Sequence, residues 1–202
     1  FIFLISTLNA QLDQYIKICA IRVSFLEDEL ESTTGNGKFL NNLDGIDCGN
    51  NTVDPPPHDK DYFQSQLEAA HSYFNDISYG KFGIDMDNSN IYPDAPSGDY
   101  ELEKYMNYYN PYDSTELQEQ KITQLFIDAV SKAYTIDQIN FSNYDIIVVF
   151  HSGIGQDFSL PFLDPTPEDI PSTFIDEKMI ESLIGESFIN LNGNLIGKGI
   201  LL

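Results

Sequence analysis

The stretch "YDIIVVFHSGIGQDFSLPFLDPTPEDIP", Tyr144 to Pro171, decides the fold class of this 202-residue chain. Five consecutive β-favouring apolar residues, Ile146 to Phe150, read as a strand buried on both faces, the pattern of a parallel sheet covered by helices. His151-Ser152-Gly153-Ile154-Gly155 follow at once, at the carboxyl edge where open α/β sheets bind their ligands. His151, Ser152, Gly153 and Gly155 are therefore the candidate substrate-binding residues. Two readings of them stay open: a direct catalytic role, and a tight turn out of a central strand. A nucleophilic serine is not indicated, because the G-x-S-x-G elbow needs a glycine two residues before the serine and Phe150 stands there. A dinucleotide loop fails as well, since Gly153-Ile154-Gly155 runs on to Pro161 without a third glycine opening a helix.

Working back from this strand, Ile122, Leu125, Phe126, Ala129, Val130 and Ala133 form the stripe of an amphipathic helix, with Asp113 and Glu116 spaced as a capping box. Earlier, Phe63, Leu67, Ala70, Phe74 and Ile77 recur at steps of four and three, which predicts another helix capped by Asp59 or Asp61. The segment "YIKICAIRVSF", Tyr15 to Phe25, predicts a strand buried on both sides, and "YGKFGIDMDN" a short strand entered through Gly80. Toward the end, Asn192-Gly193 between alternating apolar runs predicts a closing antiparallel hairpin from Ser187 to Leu201. The order implies an α/β fold: a twisted, mostly parallel sheet containing Ile16–Phe25 and Asp145–Phe150, helices near Asp59–Asp76 and Thr115–Tyr134, and a C-terminal β-hairpin.

Ten basic against 32 acidic residues leave a net charge of −22, a field that repels nucleic-acid phosphates and anionic membrane surfaces, so neither is an expected partner. The 42% hydrophobic content still supplies a core. "FIFLISTLNA", residues 1–10, is too short to span a bilayer and reads either as the end of a secretory signal peptide, which makes the expected location secreted, or as a buried N-terminal strand. Residues 11–202 then form one domain, no linker dividing them. Cys19 and Cys48 are the only cysteines; they either form one bridge, as export would allow, or Cys19 is a buried small hydrophobe.

Metal chemistry has little to work with. His58, His71 and His151 stand far apart, with neither an HExxH nor a Cys/His motif among them, and His71 reads as a boundary residue of its helix. Asp85, Asp87 and Ser89 mimic the start of an EF-hand loop, but the sixth-place glycine is missing and Pro96 occupies the place of the bidentate Glu. A looser Ca²⁺ site and a solvated strand end both remain open there.

The succession of "IKICAIRVSF", a proline-ended loop, "SYFNDISYGKFGID" and "VVFHSGIGQDF" resembles the amino-terminal half of the catalytic domain of secreted zinc metalloproteases of the immune inhibitor A type, over most of the chain from Gln14 onward. The resemblance implies the upper half of a zincin, with the HExxH helix beyond Leu202. It thus implies an intact parent that hydrolyses protein or peptide substrates with a zinc-activated water, and a chain that by itself holds no zinc ligand and cuts nothing. It also implies that the His151–Gly155 loop shapes the cleft and that substrate adds as a strand to a sheet edge, for which the Ser187–Leu201 hairpin is the candidate. An apolar strand ending the chain is expected to leave core surface open. Two other classes fit the same pattern: a non-enzymatic secreted or cell-surface binding domain, and part of an α/β hydrolase whose G-x-S-x-G elbow lies downstream.

Overall fold

The computed structural model describes residues 14–41, 55–111, 115–156 and 165–202. The signal-like residues 1–10, Cys48 and Asp113 lie outside these. In chain order the elements are β1 (Gln14–Ile16), β2 (Ile18–Ser24), α1 (Lys60–Ile77), β3 (Phe82–Ile84), β4 (Asn90–Tyr92), β5 (Tyr100–Glu101), α2 (Met106–Tyr109) and α3 (Thr115–Asp137). A 3₁₀ turn (Phe141–Asn143) leads into β6 (Ile146–His151), followed by β7 (Thr173–Ile175), α4 (Glu177–Ile184), β8 (Ile189–Leu191), β9 (Asn194–Ile196) and β10 (Gly199–Leu201).

The chain is a mixed α/β protein whose main sheet runs β4-β2-β6-β10-β7, with β5 continuing the β4 side of β2. All these pairings are parallel except β10 with β7. The predicted strands β2 and β6 are the central pair, in register from Ile18 opposite Ile146 to Val23 opposite His151. Alternation along β2 sends Cys19, Ile21, Val23 and Phe25 to one face, where they meet the predicted α3 stripe of Ile122, Leu125, Phe126, Ala129, Val130 and Ala133. Ile18 and Ala20 go to the other face, with Val148 and Phe150 of β6, under Phe63 and Leu67 of α1. The core is therefore two apolar layers, one on each side of the sheet.

Four sequence expectations need correction. First, the Tyr15–Phe25 strand is broken at Lys17: β1 leaves to pair with β3 in a separate two-stranded sheet, while the Lys17 peptide nitrogen donates to the Asp145 carboxylate (2.8 Å). Second, the α1 stripe is buried only in its first half, since Phe74 is 39% and Ile77 55% exposed; that end of the helix faces β3 rather than the main sheet. Asp59 is its cap, accepting from the Tyr62 peptide nitrogen (3.0 Å). Third, the antiparallel hairpin is confined to β8 and β9, turning at Asn192 and Gly193 with positive φ at both, and forms its own sheet. Fourth, β10 is no hairpin arm: it crosses back into the main sheet between β6 and β7, so Leu201 is fully buried rather than standing open.

The seating of β10 depends on Gly199. A Cβ there would lie 2.2 Å from the Phe126 ring of α3 and 3.0 Å from the Ile147 carbonyl oxygen of β6. Phe126 is itself fully buried and cannot swing aside. Gly199→Ala is expected to destabilise the fold by about 1–3 kcal/mol, the usual range for overpacking a filled core, as a lowered urea midpoint with an unchanged slope.

Candidate functional site at the carboxyl edge of the sheet

The loops that leave β2 and β6 meet at the carboxyl edge. Past β2 the chain folds back so that the Phe25 peptide nitrogen donates to the Gly37 carbonyl (2.8 Å). Past β6, the Ser152 nitrogen donates to the Val23 carbonyl (3.0 Å) and its hydroxyl donates to that same Gly37 carbonyl (2.7 Å). Ser152 is fully buried, and its proton is committed to a backbone acceptor. His151 is buried as well; its Nδ1 lies 3.0 Å from the Ser152 carbonyl and its ring packs against Phe25, with 6.2 Å between centroids. Side chains of adjacent residues on an extended chain project to opposite sides, which is why this His-Ser pair is not a nucleophile and its base.

The glycines take the other role. Gly153 has φ of +100° and sits on Met106, whose methyl group would be 2.4 Å from a Cβ at that position, so a side chain there is strained by the backbone and has to displace the end of Met106. Gly153, Ile154 and Gly155 face solvent, Ile154 at 60% exposure. Of the four candidate residues, the two with functional side chains thus point into the protein, and the two glycines shape the surface.

Sequence reasoning missed what lies beneath. Asp169, nearly fully buried, accepts from the Thr34 nitrogen and hydroxyl (2.6 Å each). Fully buried Asn110 donates to the Asp169 carbonyl and to Gln156 Oε1 and accepts from Gln118 Nε2 (2.6 Å). Gln156 donates from its backbone to Ile170 (2.9 Å) and from its side chain to Pro167 (3.1 Å), and the Ser32 hydroxyl donates to Glu168. This network joins the loop after β2, the loop after β6, the segment leading into β7, and helices α2 and α3. The residues concerned stand in "STT" and "PTPEDIP", polar segments that read as ordinary loop, and nothing local says that they meet.

The neighbouring acids are held in their neutral forms. Burial, and then Asp128 to which it donates a hydrogen bond (2.9 Å), push the Tyr109 phenol well above its usual pKa. Burial and the hydrogen bond to Asp137 do the same for Tyr100, and burial alone raises the Cys19 thiol. Cys19 is a buried free thiol, the small-hydrophobe reading of the two, and Cys48 lies outside the described residues.

Among the described residues no three His, Cys, Asp or Glu side chains gather at a metal-binding distance. His58 packs at a tilt against Tyr62 at the start of α1, with 5.0 Å between ring centroids, and the His71 Nδ1 lies 3.1 Å from the Ile84 nitrogen. In the EF-hand-like segment both Asp85 carboxylate oxygens accept from Asn88 Nδ2 (3.0 and 2.9 Å), and the Ser89 hydroxyl donates to the Asp85 carbonyl (2.7 Å). Those oxygens serve a turn. Two shallow depressions lie at the opposite, amino edge of the sheet, one beside Tyr15 and Asp145 and one beside Asn90 and Tyr144. No helix among the described residues is long and apolar enough to cross a membrane.

No protein-family profile matches the chain, and neither do the curated proteins or the solved structures.

Proposed function

We propose that the chain is the amino-terminal part of the catalytic domain of an exported metallopeptidase of the immune inhibitor A type. The observation that carries this is the form of the sheet: a parallel set closed on one side by a single antiparallel strand, β7, whose far side pairs with no other strand among the described residues. Zincin substrates add as extended strands to a sheet edge, where backbone groups supply affinity and side-chain pockets supply selection. The Ser187–Leu201 hairpin is not that edge, since β10 lies inside the sheet. On this reading β7 receives the peptide, and Phe174, 55% exposed, offers it an apolar contact. The exit loop of β6, turned outward through Gly153 and Gly155, reaches the segment that enters β7 at Gln156, whose nitrogen donates to the Ile170 carbonyl (2.9 Å).

On this reading the zinc ligands stand in the HExxH helix that the resemblance implies beyond Leu202, where the metal would activate the attacking water. What this chain would contribute is the strand edge and the rigid polar network behind it. A calcium ion on Asp85, Asp87 and Ser89 would have to displace the hydrogen bonds of their turn. The second reading is a secreted or cell-surface binding domain that uses the same β7 edge without metal chemistry.

The test is to express the full encoded polypeptide beside residues 11–202. The expected result is an HExxH after Leu202, stoichiometric zinc and chelator-sensitive peptidase activity in the long form, and neither zinc nor activity in the short one. A downstream sequence without HExxH and a long form that binds peptides without cutting them would select the binding domain. A G-x-S-x-G elbow would select the α/β hydrolase.

A further inference from the structure

The sequence contains two Asn-x-Ser/Thr triplets, Asn50-Asn51-Thr52 and Asn140-Phe141-Ser142, and the first lies outside the described residues. The second forms the exposed 3₁₀ turn between α3 and β6. Asn140 and Ser142 face solvent, while Phe141 between them is buried and anchors the turn. The Asn140 Oδ1 accepts from the Ser142 peptide nitrogen (3.3 Å). Its Nδ2 makes a single long bond, 3.4 Å, to Asn143 Oδ1. The Ser142 nitrogen is shared with Asn194 Oδ1 (3.3 Å), so each half of the exposed Asn140 amide makes one long bond and the nitrogen is only weakly engaged. Beside the turn is a polar depression of about 420 Å³, lined by Ser142, Asn143, Tyr144, Asn88, Asn90 and Lys17 among others.

We propose that Asn140 is an acceptor for an asparagine-linked oligosaccharide, an inference that rests on the export reading above. The donor class is an oligosaccharide on a lipid diphosphate. The Asn140 amide nitrogen bonds to the anomeric carbon as the bond from that carbon to the diphosphate oxygen breaks. The lipid diphosphate leaves with the electron pair, the nitrogen gives up one proton, and nothing is oxidised or reduced. The product keeps Oδ1 as an acceptor and one N–H as a donor, so the cap of the turn survives the modification. Hydroxyl, amide and ammonium groups in the adjacent depression match the hydrogen-bonding demand of the first sugar. A triplet this short arises often by chance; exposure, a weakly engaged nitrogen and an open polar surface next to it distinguish Asn140 from Asn residues such as Asn110, whose nitrogen is buried and bonded twice.

The experiment expresses the 202-residue chain behind an added cleavable secretion leader in a eukaryotic host, so that entry into the lumen is assured. The wild type, Asn50→Gln, Asn140→Gln and Ser142→Ala are compared by peptide mass spectrometry and by the gel shift that peptide-N-glycosidase reverses. The expected result is glycan on Asn140 in the wild type and in Asn50→Gln, complete loss in Asn140→Gln and Ser142→Ala, and retention in Ser142→Thr. An unmodified Asn140 peptide in the secreted wild type overturns the proposal, whatever Asn50 carries. Export itself is read separately, by recovering the protein from the medium of its source cells; failure there overturns the export reading and leaves the competence of Asn140 to the first result.

Discussion

Arg22→Met is expected to cost the protein about 3–5 kcal/mol, the range for removing one partner of a buried charged network and a large part of the roughly 5–15 kcal/mol that holds a domain together. Arg22 projects from central strand β2 and is 1% exposed. Its guanidinium donates to the carbonyls of Pro93, Ala95 and Pro96, each at 2.7 Å. Burial draws its pKa below the ordinary value, and the negative charges of Asp99 and Asp59 oppose that pull. The loop it grips also receives the Lys60 peptide nitrogen on Pro96, at the start of α1, and the Ser24 hydroxyl donates to Asp99 beyond it. Methionine fills similar space but leaves three acceptors facing an apolar side chain, each at about 1–3 kcal/mol when unsatisfied. Lysine should recover only part of the loss, because a single ammonium lacks the planar fork that reaches three carbonyls. Urea unfolding of the three proteins measures this; a midpoint in Arg22→Met equal to that of the wild type would show that the loop is held by other means.

The second large effect is expected at alkaline pH. Tyr100 and Tyr109, each 1% exposed, and fully buried Cys19 have native pKa values raised above ordinary values of 10.0 for the phenols and 9.0 for the thiol. The unfolded chain loses these protons first, so it binds fewer than the native state and stability falls as pH rises. The stabilisation is fully present below pH 9, where both states keep their protons, and is withdrawn from Cys19 first and from the two tyrosines above pH 10. Each group removes up to about 1.4 kcal/mol per pH unit once its unfolded form has ionised. Tyr92, raised by burial and by its hydrogen bond to Tyr144 but only half-buried, adds less because solvent screens it. Urea midpoints between pH 8 and 11 should be level and then drop steeply, and Tyr100→Phe with Tyr109→Phe should flatten the drop. A wild-type midpoint unchanged to pH 11 would contradict the burial of these acids.

The features legible in the sequence are those carried by short-range periodicity. Five apolar residues in a row suffice for β6, because a strand buried on both faces needs no alternation. The α3 stripe was readable residue by residue, since the 3.6-residue period shows in any window of that length. Asn192-Gly193 announced its turn because few residue pairs take positive φ at both positions.

Tertiary structure decided the rest. The sequence shows that α1 has an apolar stripe, but how much of it is covered depends on which sheet lies beneath, and the last turns lie against the small β1-β3 sheet, where Phe74 meets Phe82 and Asn75 meets Tyr15. Gly199–Leu201 reads as a hairpin arm and Thr173–Ile175 does not read as a strand; one is interior and the other the edge through the crossover that inserts β10 beside β6. Arg22 reads as an interruption in an apolar run until the carbonyls of residues 93–96 arrive from more than seventy positions away. Thr34 and Asp169 meet across 135 positions. A local pattern can state that a residue is buried; it cannot name the partner that makes burial of a polar group tolerable, because that partner is brought by the path of the whole chain.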